Sequence, residues 1–215
     1  MTKARDVWIV GATGLVGREA VLALLEDETF GRVMTVVRRK SGVSHPRLDE
    51  RVVDFEVLSA ALSGERGHVA ICCLGSTIKQ AGSQAQFRHI DYDYAMAFAK
   101  AAKHAGVRHF LVVTALGAKP DSRVFYNRVK GELEQSLAEL AFEKLTIVQP
   151  SLLIGERSEQ RIGERLATPF MKLMPRSIRG IEARKVGRAL AKLSREATPP
   201  GVVKVPSGDL HELGA

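Results

Sequence analysis

The sequence predicts a doubly wound α/β fold, a parallel sheet with helices on both faces, in a single domain over residues 1–215. Short apolar runs alternate with helical patterns for most of the length, which is the signature of strands joined by crossover helices. The first apolar run turns through three glycines in phase, Gly11, Gly14 and Gly17, directly into a helical pattern. No stretch approaches the roughly 18 to 20 consecutive apolar residues that a membrane span requires.

Val7 to Val10 reads as a buried strand, and Leu15 to Leu25 as the helix that follows it. Val33 to Val37 is expected as the second strand, Val52-Val53 as a short third, and Ala60 to Leu62 as part of a short helical connection. Val69 to Leu74 reads as the fourth strand. Tyr92 to His104 is alanine-rich and amphipathic, a helix ended by Gly106. Phe110 to Val113 is the fifth strand. Arg123 to Leu140 is a long helix whose last turns, GELEQSLAEL, are strong helix formers. Leu145 to Val148 is the sixth strand, stopped by Pro150. Beyond it the rhythm breaks: residues 155–175 read as a loop and then a helix, Ala183 to Ser194 as a basic amphipathic helix, and Val202 to Val205 as strand-like. About residues 151–215 are too few for a domain of their own and are expected to cap the sheet on the substrate side.

Cys72 and Cys73 are adjacent in an apolar run, which suits buried reduced thiols rather than a disulfide. The N-terminal residues enter a strand with no signal-peptide core, so a cytoplasmic location is expected. The net charge is +8, and between Arg157 and Arg195 eleven Lys or Arg face only three acids, an excess that equals the whole net charge. Such a segment attracts anions. It lacks the interleaved aromatics of a single-strand nucleic-acid surface. A solvated basic face or a small anionic ligand is therefore expected there, not nucleic acid, and no metal site is read.

The run GATGLVG (Gly11, Ala12, Thr13, Gly14, Leu15, Val16, Gly17) carries the strongest functional signal. A strand that turns on glycines into a helix aims unpaired backbone N–H groups and the positive end of the helix dipole at one point, which suits a diphosphate. The second strand ends in Arg38-Arg39-Lys40, with no carboxylate. A carboxylate there would repel a ribose 2′-phosphate, whereas a guanidinium pairs with it through two charge-assisted hydrogen bonds. NADP(H) is thus expected over NAD(H), with Arg38 the first candidate and Arg39 the second. Tyr126 and Lys130 stand four apart on one face of a helix. A neighbouring ammonium eases proton exchange between a phenol and a substrate oxygen. Thr114 ends the preceding strand and offers a second hydroxyl.

These features resemble the short-chain dehydrogenase/reductase superfamily. CCLGST at residues 72–77, HIDYDYAMAFAKAAKHAGVRHF from His89, TALGAKPDSRVFYNRVKGELE from Thr114 and QPSLLIGER from Gln149 are similar to its atypical subgroup, that of the Tat-interacting tumour-suppressor protein. The similarity runs from about residue 5 to the C-terminus and implies a Rossmann-type, epimerase/dehydratase-like fold. It implies Tyr126 as the general acid–base and Lys130 as its helper and a ligand of the nicotinamide ribose. It further implies Gly11, Thr13, Gly14, Leu15, Val16 and Gly17 along the diphosphate, Arg38 at the 2′-phosphate and Asp54 near the adenine. Leu74, Gly75 and Ser76 would follow the cofactor backbone, and Pro150, Ser151 and Leu152 would lie beside the nicotinamide. Two positions depart from the superfamily. Its serine falls on Thr114-Ala115, where threonine keeps the hydroxyl but restricts χ1. Its helical asparagine falls on Asp91, as the subgroup implies, and an ionised carboxylate accepts hydrogen bonds without donating any, so the usual proton relay is altered.

The first expected function is an NADP(H)-dependent oxidoreductase acting on a small carbonyl, alcohol or sugar-like molecule, with Tyr126, Lys130, Thr114 and Asp91 as the catalytic group. The alternative is an NADPH-binding regulatory or scaffold protein with little or no turnover. An epimerase or dehydratase would need space that the short tail does not provide. Thr77 to Phe87 and Glu156 to Pro175 are expected as specificity loops, and their Ser, Gln, Arg and Lys would suit a polar or anionic substrate. Monomer and homodimer are both compatible with the sequence.

Overall fold

The computed structural model describes residues 4–154, 179–195 and 199–215. The expected loop and helix at 155–175 lie outside the described residues. Strands β1 (Arg5–Val10), β2 (Phe30–Val37), β3 (Leu48–Val52), β4 (Val69–Cys72), β5 (His109–Val113), β6 (Lys144–Gln149) and β9 (Gly201–Pro206) form one sheet in the order β3-β2-β1-β4-β5-β6-β9. All six pairings are parallel. The order reverses direction between β1 and β4, and in an open α/β sheet that switch point is where a ligand crevice opens, at the carboxyl ends of the strands. A separate short pair joins β7 (Leu153–Ile154) to β8 (Ile181–Glu182).

Two apolar layers clothe the sheet because successive strand side chains alternate between its faces. On one face, Val7, Ile9 and Ile71 pack with α1 (Leu15–Glu26) and with α7 (Ala183–Arg195). Helices α1 and α7 meet at Gly187, where a Cβ would come within 2.6 Å of Glu19. On the other face, Trp8, Val10 and Phe110 pack with α2 (Leu58–Ala61), α5 (Tyr94–His104) and α6 (Phe125–Glu139). The last helix, α8 (Ser207–Leu213), rests on α7 at Gly214. Among the described residues no helix is long and apolar enough to cross a membrane.

Three elements differ from expectation. The third strand is Leu48–Val52 rather than Val52-Val53, and it is an edge strand of half-exposed polar residues whose pairing to β2 leaves no apolar alternation to read. Its charges are instead tied by ion pairs, Arg32 to Asp49 at 3.4 Å and Arg51 to Asp49 at 2.9 Å. Thr77 to Phe87 is not a loop: it forms α3 (Ile78–Ala81), opened by a Thr77/Gln80 capping box, and most of α4 (Gln84–Arg88). Between α4 and α5, His89–Asp93 is a π-helical turn. Cys72 is buried and Cys73 partly so, both as free thiols, and burial pushes the Cys72 pKa up to about 11.

Candidate functional site

β1 delivers the chain into a turn that only glycine permits. Gly11 has φ +78°, and a Cβ there would sit 2.5 Å from the Cys73 carbonyl group at the end of β4. A Cβ on Gly17 would sit 2.1 Å from the Gly11 carbonyl oxygen. The turn therefore passes tightly beneath β4, and α1 sits directly on it. Gly14 caps α1 without a side chain, and the first turn carries no acid. The opening N–H groups and the positive helix end are thus left for an anion.

A cleft of about 1060 Å³ opens here. It runs from Gly11, Thr13 and Gly14 past Arg38, Arg39 and Lys40 at the end of β2 to Leu74, Gly75 and Ser76 after β4. Arg18 adds a further cation, and among the described residues no acidic side chain lines the cleft. The Thr35 hydroxyl is buried in its wall with no hydrogen-bond partner among the described residues. Phe55 forms another part of the wall, with the Arg38 guanidinium 6.0 Å from its ring centre. Gln80 and Ala81, expected in a specificity loop, line this same cleft. Asp54 does not line it; its carboxylate accepts the Glu56 N–H at 3.0 Å and caps the short helix Phe55–Val57. Val16 and Gly17 are buried behind the turn, with Leu15 half-buried beside them.

Beneath the wall at Gly75 lies a buried ion pair. Lys130 Nζ is 2.7 Å from Asp91 Oδ1, with the two side chains 2% and 0% exposed. A Cβ on Gly75 would lie 3.9 Å from both atoms. The other Asp91 oxygen accepts from the Ser76 N–H at 3.0 Å and its hydroxyl at 2.7 Å. Burial lowers the Lys130 pKa, but Asp91, with Tyr126 nearby, more than offsets it and lifts the lysine above its ordinary value. The π turn explains how Asp91 comes to face inward: one extra residue per turn re-phases the helix, and within HIDYD only Asp91 is buried.

Tyr126 stands one turn before Lys130 on α6, its ring 5.3 Å from that of Phe87. Among the described residues its hydroxyl has no hydrogen-bond partner. Thr114 is 4% exposed, and its hydroxyl points into the interior, donating to Glu134 Oε1 at 2.6 Å. Pro150 is buried, Ser151 donates to the Arg179 carbonyl oxygen at 2.5 Å, and Leu152 is exposed. The structure thus gathers the glycine turn, Arg38, Arg39 and residues 74–76 around one cleft, with Lys130 and Asp91 immediately below it. Thr114 and Asp54 are committed to other partners. Sequence reasoning missed Arg18 and Glu134. Arg18, directly after the glycine run, could have been found from its place in the first turn of α1; nothing local marks Glu134.

Comparison with known proteins gives the same picture. Residues 11–193 match the family described as NAD(P)H-binding. Protein HTATIP2 of Rattus norvegicus is 36% identical over 177 residues, spanning 80% of this chain and 73% of the relative. The mitochondrial protein FMP52 of Lodderomyces elongisporus is 34% identical over 230 aligned positions, spanning 98% of this chain and 97% of the relative. Among solved structures, an oxidoreductase of the short-chain dehydrogenase/reductase family from Burkholderia thailandensis superposes with a TM-score of 0.75 over 98% of this chain and 94% of its own, at 19% identity. That last likeness concerns the fold alone. A glycine-turned first βα unit, a cleft at the switch point, the family match over residues 11–193 and relatives of this kind establish that the chain belongs to the NAD(P)H-binding family, in the atypical short-chain dehydrogenase/reductase-like group of HTATIP2 and FMP52.

Proposed function

We propose that this protein is an NADP(H)-dependent oxidoreductase that moves a hydride between the cofactor and a small carbonyl or alcohol, with Tyr126 exchanging the proton. The observation that carries the reading is the phenol of Tyr126, free of internal partners among the described residues and one helical turn from an ammonium held at the cleft wall. The dinucleotide fits what is present: a glycine turn packed too tightly for side chains at Gly11 and Gly17, the cleft that opens on it and, among the described residues, a lining whose charged groups are all cationic. Bound nicotinamide supplies or accepts the hydride.

Every other step belongs to the chain. Gly11, Thr13 and Gly14 hold the diphosphate with backbone N–H groups, and Arg38, with Arg39 beside it, pairs with the 2′-phosphate, which favours NADP(H) over NAD(H). Lys130 donates toward the nicotinamide ribose while Asp91 fixes its position. In the reductive direction the O–H bond of Tyr126 breaks as the substrate oxygen takes the proton. In the oxidative direction the phenolate takes it back. The substrate is small, and the cytoplasm is the compartment in this reading, although the FMP52 relative is named mitochondrial; subcellular fractionation distinguishes the two.

The test is NADPH oxidation by the purified protein against a panel of aldehydes, ketones and quinones, with Tyr126→Phe in parallel. Loss of a proton donor from the reacting oxygen lowers turnover by about 10²–10⁴-fold. Turnover that survives Tyr126→Phe removes the acid–base assignment. Tight NADPH binding with no substrate consumed by the wild type replaces the enzyme with an NADPH-binding regulatory protein.

A further inference from the structure

Three hydroxyls at the carboxyl ends of the central strands have something in common that Tyr126 lacks among the described residues. Ser76 donates to Asp91 at 2.7 Å, Thr114 to Glu134 at 2.6 Å and Ser151 to the Arg179 carbonyl oxygen at 2.5 Å. A hydroxyl has a single proton, so each of the three has placed it on an acceptor inside the protein. Glu134 is the least expected of these acceptors. It follows Lys130 by one turn on α6 and is 4% exposed. Besides Thr114 it takes the Gln149 side-chain amide at 2.9 Å and the Lys204 ammonium at 2.8 Å. One buried carboxylate thus collects donors from the ends of β5 and β6 and from β9. Lys204 is half in water, with 55% of its side chain exposed, so only Glu134 sits wholly in the interior.

The backbone transmits this anchoring to the loops that follow. The Thr114 N–H donates to Val148 O at 2.9 Å, and the Leu116 N–H to Pro150 O at 2.9 Å. Holding Thr114 and Gln149 therefore holds the loop after β5 and the start of the segment 150–152.

We propose that Glu134 is a positioning residue of this site: through Thr114 and Gln149 it locks the ends of β5 and β6, and by keeping the Thr114 proton it leaves Tyr126 to protonate the substrate alone. The catalytic half of this statement rests on the oxidoreductase reading; the locking of the strand ends does not.

The test uses the full chain with NADPH as the probe, in four variants: Glu134→Gln, Thr114→Val, Thr114→Ser and the double variant Glu134→Gln/Thr114→Val. NADPH Kd, the emission anisotropy of bound NADPH, kcat and KM are measured for each. Loss of one buried hydrogen bond corresponds to about tenfold, so Glu134→Gln and Thr114→Val should each lower kcat by about that factor. Both should lower the anisotropy of the bound nicotinamide and leave NADPH Kd within about twofold, because the diphosphate and 2′-phosphate contacts are elsewhere. The double variant should be no worse than the poorer single one, and Thr114→Ser should match the wild type. Should Glu134→Gln fail to fold, Lys204→Met removes only the exposed donor and should move the same readouts in the same direction. Thr114→Val as damaging as Tyr126→Phe, with Glu134→Gln silent, overturns the proposal in favour of direct donation by Thr114. Additive losses in the double variant overturn it as well. If no carbonyl is reduced, the oxidoreductase reading fails, and unchanged anisotropy in Glu134→Gln then refutes the positioning role by itself.

Discussion

Replacing Asp91 with Ala would strand the Lys130 ammonium in the interior. The pair is 2.7 Å apart with neither side chain more than 2% exposed, and the same carboxylate accepts both Ser76 donors. Removing one member of a buried pair costs about 3–5 kcal/mol, because the remaining charge keeps its desolvation penalty without its partner. Domains have only about 5–15 kcal/mol in all. At roughly 2 kcal/mol per molar urea, the unfolding midpoint should fall by about 2 M. Trp8 is the only tryptophan and fully buried, so its fluorescence follows unfolding directly. The double variant Asp91→Leu/Lys130→Met removes both charges and should cost less than Asp91→Ala alone, since an apolar pair of similar volume carries no desolvation penalty. The lysine's folded pKa lies above its ordinary 10.5, so the ammonium's contribution persists up to pH 10.5 and is lost as pH rises through the folded value. A loss under about 1 kcal/mol in Asp91→Ala would refute the burial argument, as would a double variant worse than the single one.

Other outcomes follow from the same geometry. Gly17→Ala places a methyl 2.1 Å from the Gly11 carbonyl oxygen; it should cost about 1–3 kcal/mol and abolish NADPH binding by titration, and retained affinity would mean that the turn adapts. Arg38→Ala should weaken NADPH by about 10–100-fold, the worth of a charge-assisted contact, and NADH hardly at all; equal losses would remove the 2′-phosphate assignment. His109 is 5% exposed, and burial, aided by Lys144 and Arg5, lowers its pKa from 6.5 to about 4. The unfolded chain takes up the proton first, so stability is undiminished above pH 6.5 and falls by about 3 kcal/mol as pH drops toward 4. Urea midpoints at pH 7 and pH 4.5 measure this, and a slope unchanged in His109→Gln would assign the acid lability to other groups.

The alternation of strands and helices was legible because each depends on side-chain periodicity within a few turns of the chain. Five of the six expected strands occur in the sheet where the periodicity puts them, and the strand-like Val202–Val205 joins it beside β6. Edge strand β3 was misplaced because its partner, β2, rather than an apolar pattern, defines it. Helices α3 and α4 leave no periodicity in the sequence because the segment is polar and its longest helix has only five residues.

The glycine turn, the arginines ending β2 and the shared face of Tyr126 and Lys130 are local facts of steric demand and helical spacing, and the sequence alone determined them. Where the polar groups spend their hydrogen bonds was decided only by the tertiary structure. Asp91 faces Lys130 because a π turn re-phases its helix, and Thr114 turns to Glu134, 20 residues away, because α6 crosses the ends of β5 and β6. Lys204 completes that site from 70 residues further along the chain. A buried polar atom must find a partner wherever packing brings one, and that partner is a property of the assembled layers, not of the neighbouring residues.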